Sequence, residues 1–193
     1  MNYDLSHLTQ TDRRVYGPIQ DDEALLLYAL VRCLGAKTVL EAGGQTGYSA
    51  RNFLAAGATV YTVDTQPVPV QGERHHVIQA DIGYVNLDLL PPLDLVFFDA
   101  HAEEAQYRFF LLAVASGVIH HGTTVVVHDT GLHSQQFVPW AVPCGDRWAH
   151  QPEERRFVGR LVAAGWQCVH VHADDDAEPR HGLTILQRPR SLA

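Results

Sequence analysis

The sequence predicts a doubly wound α/β sheet, mostly parallel, that closes on an antiparallel C-terminal hairpin. Three observations predict it. Short apolar runs such as TVLEA, TVYTVD, LDLVFF and TTVVVH alternate with helix-like segments, the order that builds parallel strands with crossover helices. A glycine turn, AGGQTG, joins the first of these strands to a helix, and small residues there let a ligand approach the backbone closely. Acids close the successive strands: Glu41, Asp64, Asp81, Asp99 and Asp129. In open parallel sheets the ligand sits beyond those carboxyl ends, where the strand order reverses.

The elements follow in order. Asp21, Asp22 and Glu23 precede ALLLYALVRCLG, which reads as a helix with an acidic first turn and a glycine stop. Thr38 to Glu41 is the first strand, Tyr48 to about Ala56 the next helix, ended by Gly57, and Thr59 to Asp64 the second strand. The segment QPVPVQGERH carries two prolines and is expected to run irregularly into a third strand, His76 to Ala80, where a crossover helix is usual. Pro91 and Pro92 mark a turn before Leu93 to Phe98, whose unbroken apolar run suits a strand buried on both faces. A helix Glu103 to Ala115, with Tyr107, Phe109 and Phe110 as core residues, and a strand Thr123 to His128 complete another unit. Residues 131 to 151 read as a long loop. A helix Pro152 to Ala164, then WQCVHVH and GLTILQR joined by ADDDAEPR, end the sheet. His75, His76, His120 and His121 read as structural residues of connecting loops.

Composition narrows the function. With 193 residues and 46% hydrophobic content the chain suits a single domain over 1–193. A net charge of −8 argues against nucleic acid or an anionic membrane as partner, and favours a small neutral or basic molecule. Cys33, Cys144 and Cys168 form no CxxC pair, so neither a disulfide framework nor a zinc site is indicated. No signal peptide or membrane-length apolar run is read, and a reducing cytoplasm is the expected compartment. Lys37 is the one lysine; it lies at the end of the first strand away from the glycine turn, so no lysine is expected to act as base.

The glycines fall as GGxxG rather than GxGxxG, and Glu41 stands two residues before Gly43. A carboxylate there repels a pyrophosphate but tolerates a cationic ligand, which favours S-adenosylmethionine over NAD. The run EAGGQTGYS resembles the first motif of the class I S-adenosylmethionine-dependent methyltransferases, particularly the small O-methyltransferases of the catechol and caffeoyl-CoA type. The likeness continues in LDLVFFDAH and GTTVVVHDTG, so it spans most of the chain. It implies a Rossmann-like fold, a small-molecule acceptor and, as a family expectation, a homodimer.

The resemblance also implies roles for residues. Glu41 and the backbone of Gly43, Gly44 and Gly47 would hold the methionine part of the cofactor, with Tyr48 and Ser49 at the helix start. Asp64 would take the ribose hydroxyls, Asp81 the adenine amino group, and Ile82 would stack on the ring. Asp99, also beside the cofactor, and Asp129 would hold a divalent metal, Mg²⁺ by preference. Two family positions differ: Thr130 stands where asparagine is usual, and Ala102 where the lysine base is expected. His101, His128 and His133 are the available substitutes as base or nitrogen ligand. Trp140 and Trp148 are candidate walls of the acceptor pocket. The rival readings are a metal-free N- or O-methyltransferase with His101 or His128 as base, a non-catalytic cofactor-binding protein on the same fold, and a dehydrogenase.

Overall fold

The computed structural model describes residues 19–130, 142–144, 147–149, 151–171 and 182–189. Its frame is a seven-stranded sheet with helices on both faces. In chain order the elements are α1 (Asp21–Leu34), β1 (Thr38–Ala42), α2 (Tyr48–Ala55), β2 (Thr59–Asp64), β3 (His75–Gln79) and β4 (Leu93–Phe98). There follow α3 (Glu103–Ser116), β5 (Ile119–Val127), β6 (Val142–Cys144), β7 (Arg147–Ala149), α4 (Gln151–Ala163), β8 (Gln167–Val171) and β9 (Leu183–Gln187). The sheet runs β3-β2-β1-β4-β5-β9-β8. Strands β3 to β5 pair in parallel, and β9 runs antiparallel to both β5 and β8. This is the predicted architecture.

The apolar pattern of β4 explains the layering. Successive side chains of a strand point to opposite faces, and here both faces are covered. Leu95 and Phe97 pack with Leu27, Val31 and Phe53 under α1 and α2. Val96 and Phe98 pack with Phe109, Phe110, Phe157 and Trp166 under α3 and α4. Phe98 meets the Phe157 ring edge-on at 4.8 Å. With both faces closed, the ligand-binding surface is left to the carboxyl ends of the strands, and β1, flanked by β2 and β4, marks where the order reverses.

Helix α1 begins at a capping box: the Glu23 carboxylate accepts from the Gln20 N–H at 2.9 Å. Gly35 ends the helix with φ 64°.

Several expectations need correction. The segment before β3 is helix-free as predicted, and β3 begins at His75, one residue before the expected His76, so neither histidine belongs to a connecting loop. His75 is buried, and its Nε2 lies 2.8 Å from the Thr62 hydroxyl. His120 and His121 likewise lie within β5, which starts at Ile119 and not at Thr123. The stretch expected to be a long loop contains an antiparallel pair, β6 with β7. His133 and Trp140 lie outside the described residues, as does the side chain of Trp148. No helix among the described residues is long and apolar enough to cross a membrane.

Candidate functional site

The glycine turn is built by conformations and contacts that exclude side chains. Gly43 has φ 92°, and a Cβ on it would overlap the carbonyl oxygen of Asp99. A Cβ on Gly44 would overlap the Thr62 methyl. Gly47, with φ 74°, starts α2. The turn is closed by Asp64, whose Oδ2 accepts the N–H groups of Gly44 at 2.8 Å and Gln45 at 3.0 Å, while Oδ1 accepts that of Gln66 at 2.8 Å.

Glu41 lies beneath the turn, fully buried. Its carboxylate accepts from the Ser49 hydroxyl and from Thr62 Oγ1, the latter at 2.6 Å. Burial raises its pKa to about 7, against the lowering effect of those two hydroxyls. The side chains of Glu41, Tyr48 and Ser49 are therefore engaged inside the protein. Tyr48 is buried and donates to Asp21 at 3.0 Å.

A cleft opens over the ends of β1, β2 and β4. Gly43, Asp64, Asp81, Ile82, Asp99 and His101 line it, with Val63, Ala80 and Ala100 between them. Asp81 caps a short 3₁₀ turn by accepting from the Gly83 N–H at 2.7 Å. The predicted adenosine residues Asp64, Asp81 and Ile82 thus share one wall with Asp99 and His101.

At the far end of the cleft stands a cluster of four carboxylates and two imidazoles. His128 Nδ1 lies 2.9 Å from Asp99 Oδ1, and its Nε2 lies 3.0 Å from Glu23 Oε2. Burial alone would lower the pKa of this ring, but Asp129, Asp99 and Glu23 outweigh it and hold the pKa well above the usual histidine value. With both nitrogens facing carboxylates, the protonated form of His128 is favoured, and in that form the ring has no lone pair to take a proton. His101 differs. Its Nδ1 lies 3.1 Å from Glu154 Oε1, while Nε2 lies 3.5 Å from Asp99 Oδ1 and 3.7 Å from Asp129 Oδ2. Burial opposes protonation here too, but Glu154, Asp99 and Asp129 together raise its pKa.

Both His101 (φ 50°) and Asp129 (φ 54°) occupy the left-handed region, a conformation that costs free energy and gathers at functional sites. Asp99, His128 and Asp129 bring carboxylate and ring atoms close enough to share one cation, with His128 as a ligand only once its ring has lost a proton. The Thr130 hydroxyl is occupied elsewhere: it accepts from Thr184 Oγ1 at 2.7 Å and donates to the Gly182 carbonyl at 3.5 Å.

Sequence reasoning missed Glu23 and Glu154. Each reads as an ordinary acid in the first turn of a helix, and only the fold brings them to the cluster.

No protein-family model and no curated protein matches the sequence. Solved structures do match, and they define the fold as that of the class I methyltransferases. The SAH-bound Podospora anserina methyltransferase PaMTH1 superposes with a TM-score of 0.72 at 14% identity, over 96% of this chain and 86% of the other. The O-methyltransferase TomG from Streptomyces achromogenes, solved with SAM, gives 0.62 at 20% identity over 95% and 88%. The Burkholderia thailandensis 1,6-didemethyltoxoflavin-N1-methyltransferase, with acceptor and S-adenosylhomocysteine bound, gives 0.61 at 17% identity over 86% and 78%.

Proposed function

We propose that this chain is a single-domain enzyme that transfers a methyl group from S-adenosylmethionine to a hydroxyl oxygen of a small molecule, with a divalent cation at Asp99 and Asp129. One observation carries the reading: a single cleft joins an adenosine-type set of acceptors, Asp64 and Asp81 beside Ile82, to the Asp99, His101 and Asp129 cluster. When bound, the cofactor supplies an electrophilic methyl group, and a divalent cation neutralises carboxylate charge and acidifies a hydroxyl.

The residues fit both groups. Asp64 and Asp81 are acceptors suited to ribose hydroxyls and an exocyclic amine. The cluster holds Glu23, Asp99, Asp129 and Glu154 against His101 and His128. Even with both rings protonated, ionised carboxylates leave two negative charges over, which a dication would balance. Hard oxygen donors favour Mg²⁺. His101, which lines the cleft, is the proposed base, and His128 serves as a fixed positive charge that orients Asp99. Positioning and electrostatics then account for most of the rate.

A second reading has its own support. The Thr130 hydroxyl, where asparagine is usual in the resembling family, is tied to Gly182 and Thr184, which favours metal-free transfer to oxygen or nitrogen with the same His101 base. Calorimetric titration with S-adenosylhomocysteine and turnover of S-adenosylmethionine with catechol, in Mg²⁺ and in chelator, separate the readings. Asp129→Ala should abolish Mg²⁺-dependent turnover and leave cofactor affinity nearly intact. Turnover that survives both chelation and this substitution removes the metal from the proposal. Absence of cofactor binding removes the methyltransferase reading altogether.

A further inference from the structure

We infer that His75 is a positioning residue for the cofactor: neutral, with its proton on Nε2, it fastens the link 65–74 onto the glycine turn, where a crossover helix is usual. The inference deepens the proposed function and rests on it for the identity of the ligand, though not for the fastening.

The link meets the turn at three points. Val68 is buried, and its side chain lies against the Cβ position of Gly44. The Gln71 amide lies over Gly47, where a Cβ would meet its Nε2 at 2.8 Å. Nearer the cleft, the Gln66 N–H donates to Asp64 Oδ1 at 2.8 Å, and Thr65 lines the wall. Residues 65–74 contain no helix to hold these contacts together. Arg74 ties the far end of the link to the carbonyls of Ala58 and Leu54 at 3.0 and 3.1 Å, and His75 ties the middle.

A backbone N–H can only donate, so the 3.0 Å contact between the Gln71 N–H and His75 Nδ1 makes Nδ1 an acceptor. The ring is then neutral with its proton on Nε2, which donates to Thr62 Oγ1 at 2.8 Å. Thr62 in turn donates to Glu41 Oε2 at 2.6 Å. One backbone donor thus orients a row of bonds that runs from the link, through β3 and β2, to the carboxylate beneath the turn.

A protonated ring breaks this row, because both nitrogens are then donors and Nδ1 faces another donor. Burial, and after it the neighbouring His76, lower the pKa of His75 in keeping with its neutral role. The other charged groups around it do little to oppose that. Glu41 stands behind the Thr62 hydroxyl and is itself protonated below about pH 7. Asp64 is engaged by the turn and the link, Arg74 by carbonyls, and Glu73 is exposed. Fastening is therefore complete above the ring's ordinary pKa of 6.5 and weakens as pH falls below it.

Two amides separate the two ends of the ring. The Asn amide oxygen reaches the position of Nδ1 and keeps the bond to the link, while the Gln amide nitrogen reaches that of Nε2 and keeps only the bond to Thr62. The experiment combines two-bond ¹H–¹⁵N correlation on ¹⁵N-histidine-labelled parent at pH 7.5 with calorimetric titration of S-adenosylhomocysteine into parent, His75→Asn and His75→Gln. The parent ring should carry its proton on Nε2. His75→Gln should bind ~10-fold more weakly, the scale of a donor left unpaired, and His75→Asn within ~3-fold of the parent. Between pH 7.5 and pH 5.5 the parent's affinity should fall more steeply than that of His75→Asn, by up to ~10-fold. A parent ring that is charged or protonated on Nδ1 overturns the inference, and needs no folded variant to do so. Equal affinity losses in the two variants overturn it too, as do identical pH profiles of parent and His75→Asn. If the parent does not bind S-adenosylhomocysteine, the proposed function fails. Amide exchange at Gln71 then decides the fastening: it should be faster in His75→Gln than in His75→Asn, and equal rates overturn it.

Discussion

The carboxylate of Asp64 accepts three backbone N–H bonds before any ligand arrives. Of its about four acceptor positions, one is left open, so the ribose diol of the sequence reading has to share the group with the turn that frames it. Asp64→Ala should therefore cost more than ligand contacts. Cofactor affinity should drop by about 10- to 150-fold, the equivalent of roughly 1.5 to 3 kcal/mol, and the melting temperature should fall as well. A variant with lower affinity but unaltered melting would show that Asp64 serves the ligand alone. Glu41 makes a different prediction. Its pKa is raised by burial from 4.5 to about 7, so the folded state keeps a proton that the unfolded chain gives up. The stability this contributes is complete below the unfolded value of 4.5 and is lost as pH rises through 7. The loss is about 3 kcal/mol. Urea unfolding at pH 4.5 and pH 8 should show the parent losing that much more than Glu41→Gln, which cannot ionise. Parallel curves for the two proteins would sink this account of Glu41.

Among the elements, those with strong apolar contrast were legible from sequence and those defined by packing were not. Strands β2 and β4 fall on their predicted residues because β2 is bounded by Gly57 and by Asp64, and β4 by Pro92 and by Asp99. The start of β5 was missed because Ile119 to Gly122 holds two exposed histidines and a glycine, and the pairing with β4 shifts register there. A glycine and an irregular ladder erase the signal that a regular strand would give. Strand β3 lies at the sheet edge with mixed burial, so no alternation announced that His75 would turn inward. There its Nδ1 accepts from the Gln71 N–H at 3.0 Å, which fastens the irregular link beside the glycine turn. That link also places Val68 against Gly44. Since Thr62 is held by Glu41 and His75, it cannot swing away from a new methyl group. Gly44→Ala should cost roughly 1 to 3 kcal/mol of stability and weaken cofactor binding at least tenfold. Gly57→Ala has φ 103° to contend with but open space around its Cβ, so it should lose stability without losing affinity. Equal affinity losses in the two variants would show that the close fit of the turn is irrelevant to the ligand.

Taken as a whole, the molecule concentrates negative charge at one end of its sheet. The strand-end acids were legible because each lies within two residues of the end of its strand in sequence. Glu23 and Glu154 were not, since Glu23 lies 105 residues from the His128 it touches and a single chain carries no mark of that distance. The complete cluster is thus more acidic than the sequence suggested, in a protein whose net charge is already −8. This bears on discrimination between the methylated cofactor and its product. S-adenosylmethionine carries a sulfonium charge that S-adenosylhomocysteine lacks, while the adenosine and amino-acid parts are the same. Asp64, Asp81 and Asp99 line the cleft that would receive both, so the field of the site should favour the cation and help the neutral product leave. Added salt screens charges more than ~10 Å apart at 0.1 M and leaves shorter contacts largely intact. The affinity ratio of the cationic over the neutral ligand should therefore fall as salt rises from 20 to 500 mM (about a 20 Å to a 4 Å screening length), while the affinity for S-adenosylhomocysteine alone changes little. Paired calorimetric titrations in chelator measure both quantities. A ratio that does not move with salt would mean that discrimination comes from contacts at the sulfur alone, and that the surrounding acids serve the cation site and His101 instead of the cofactor.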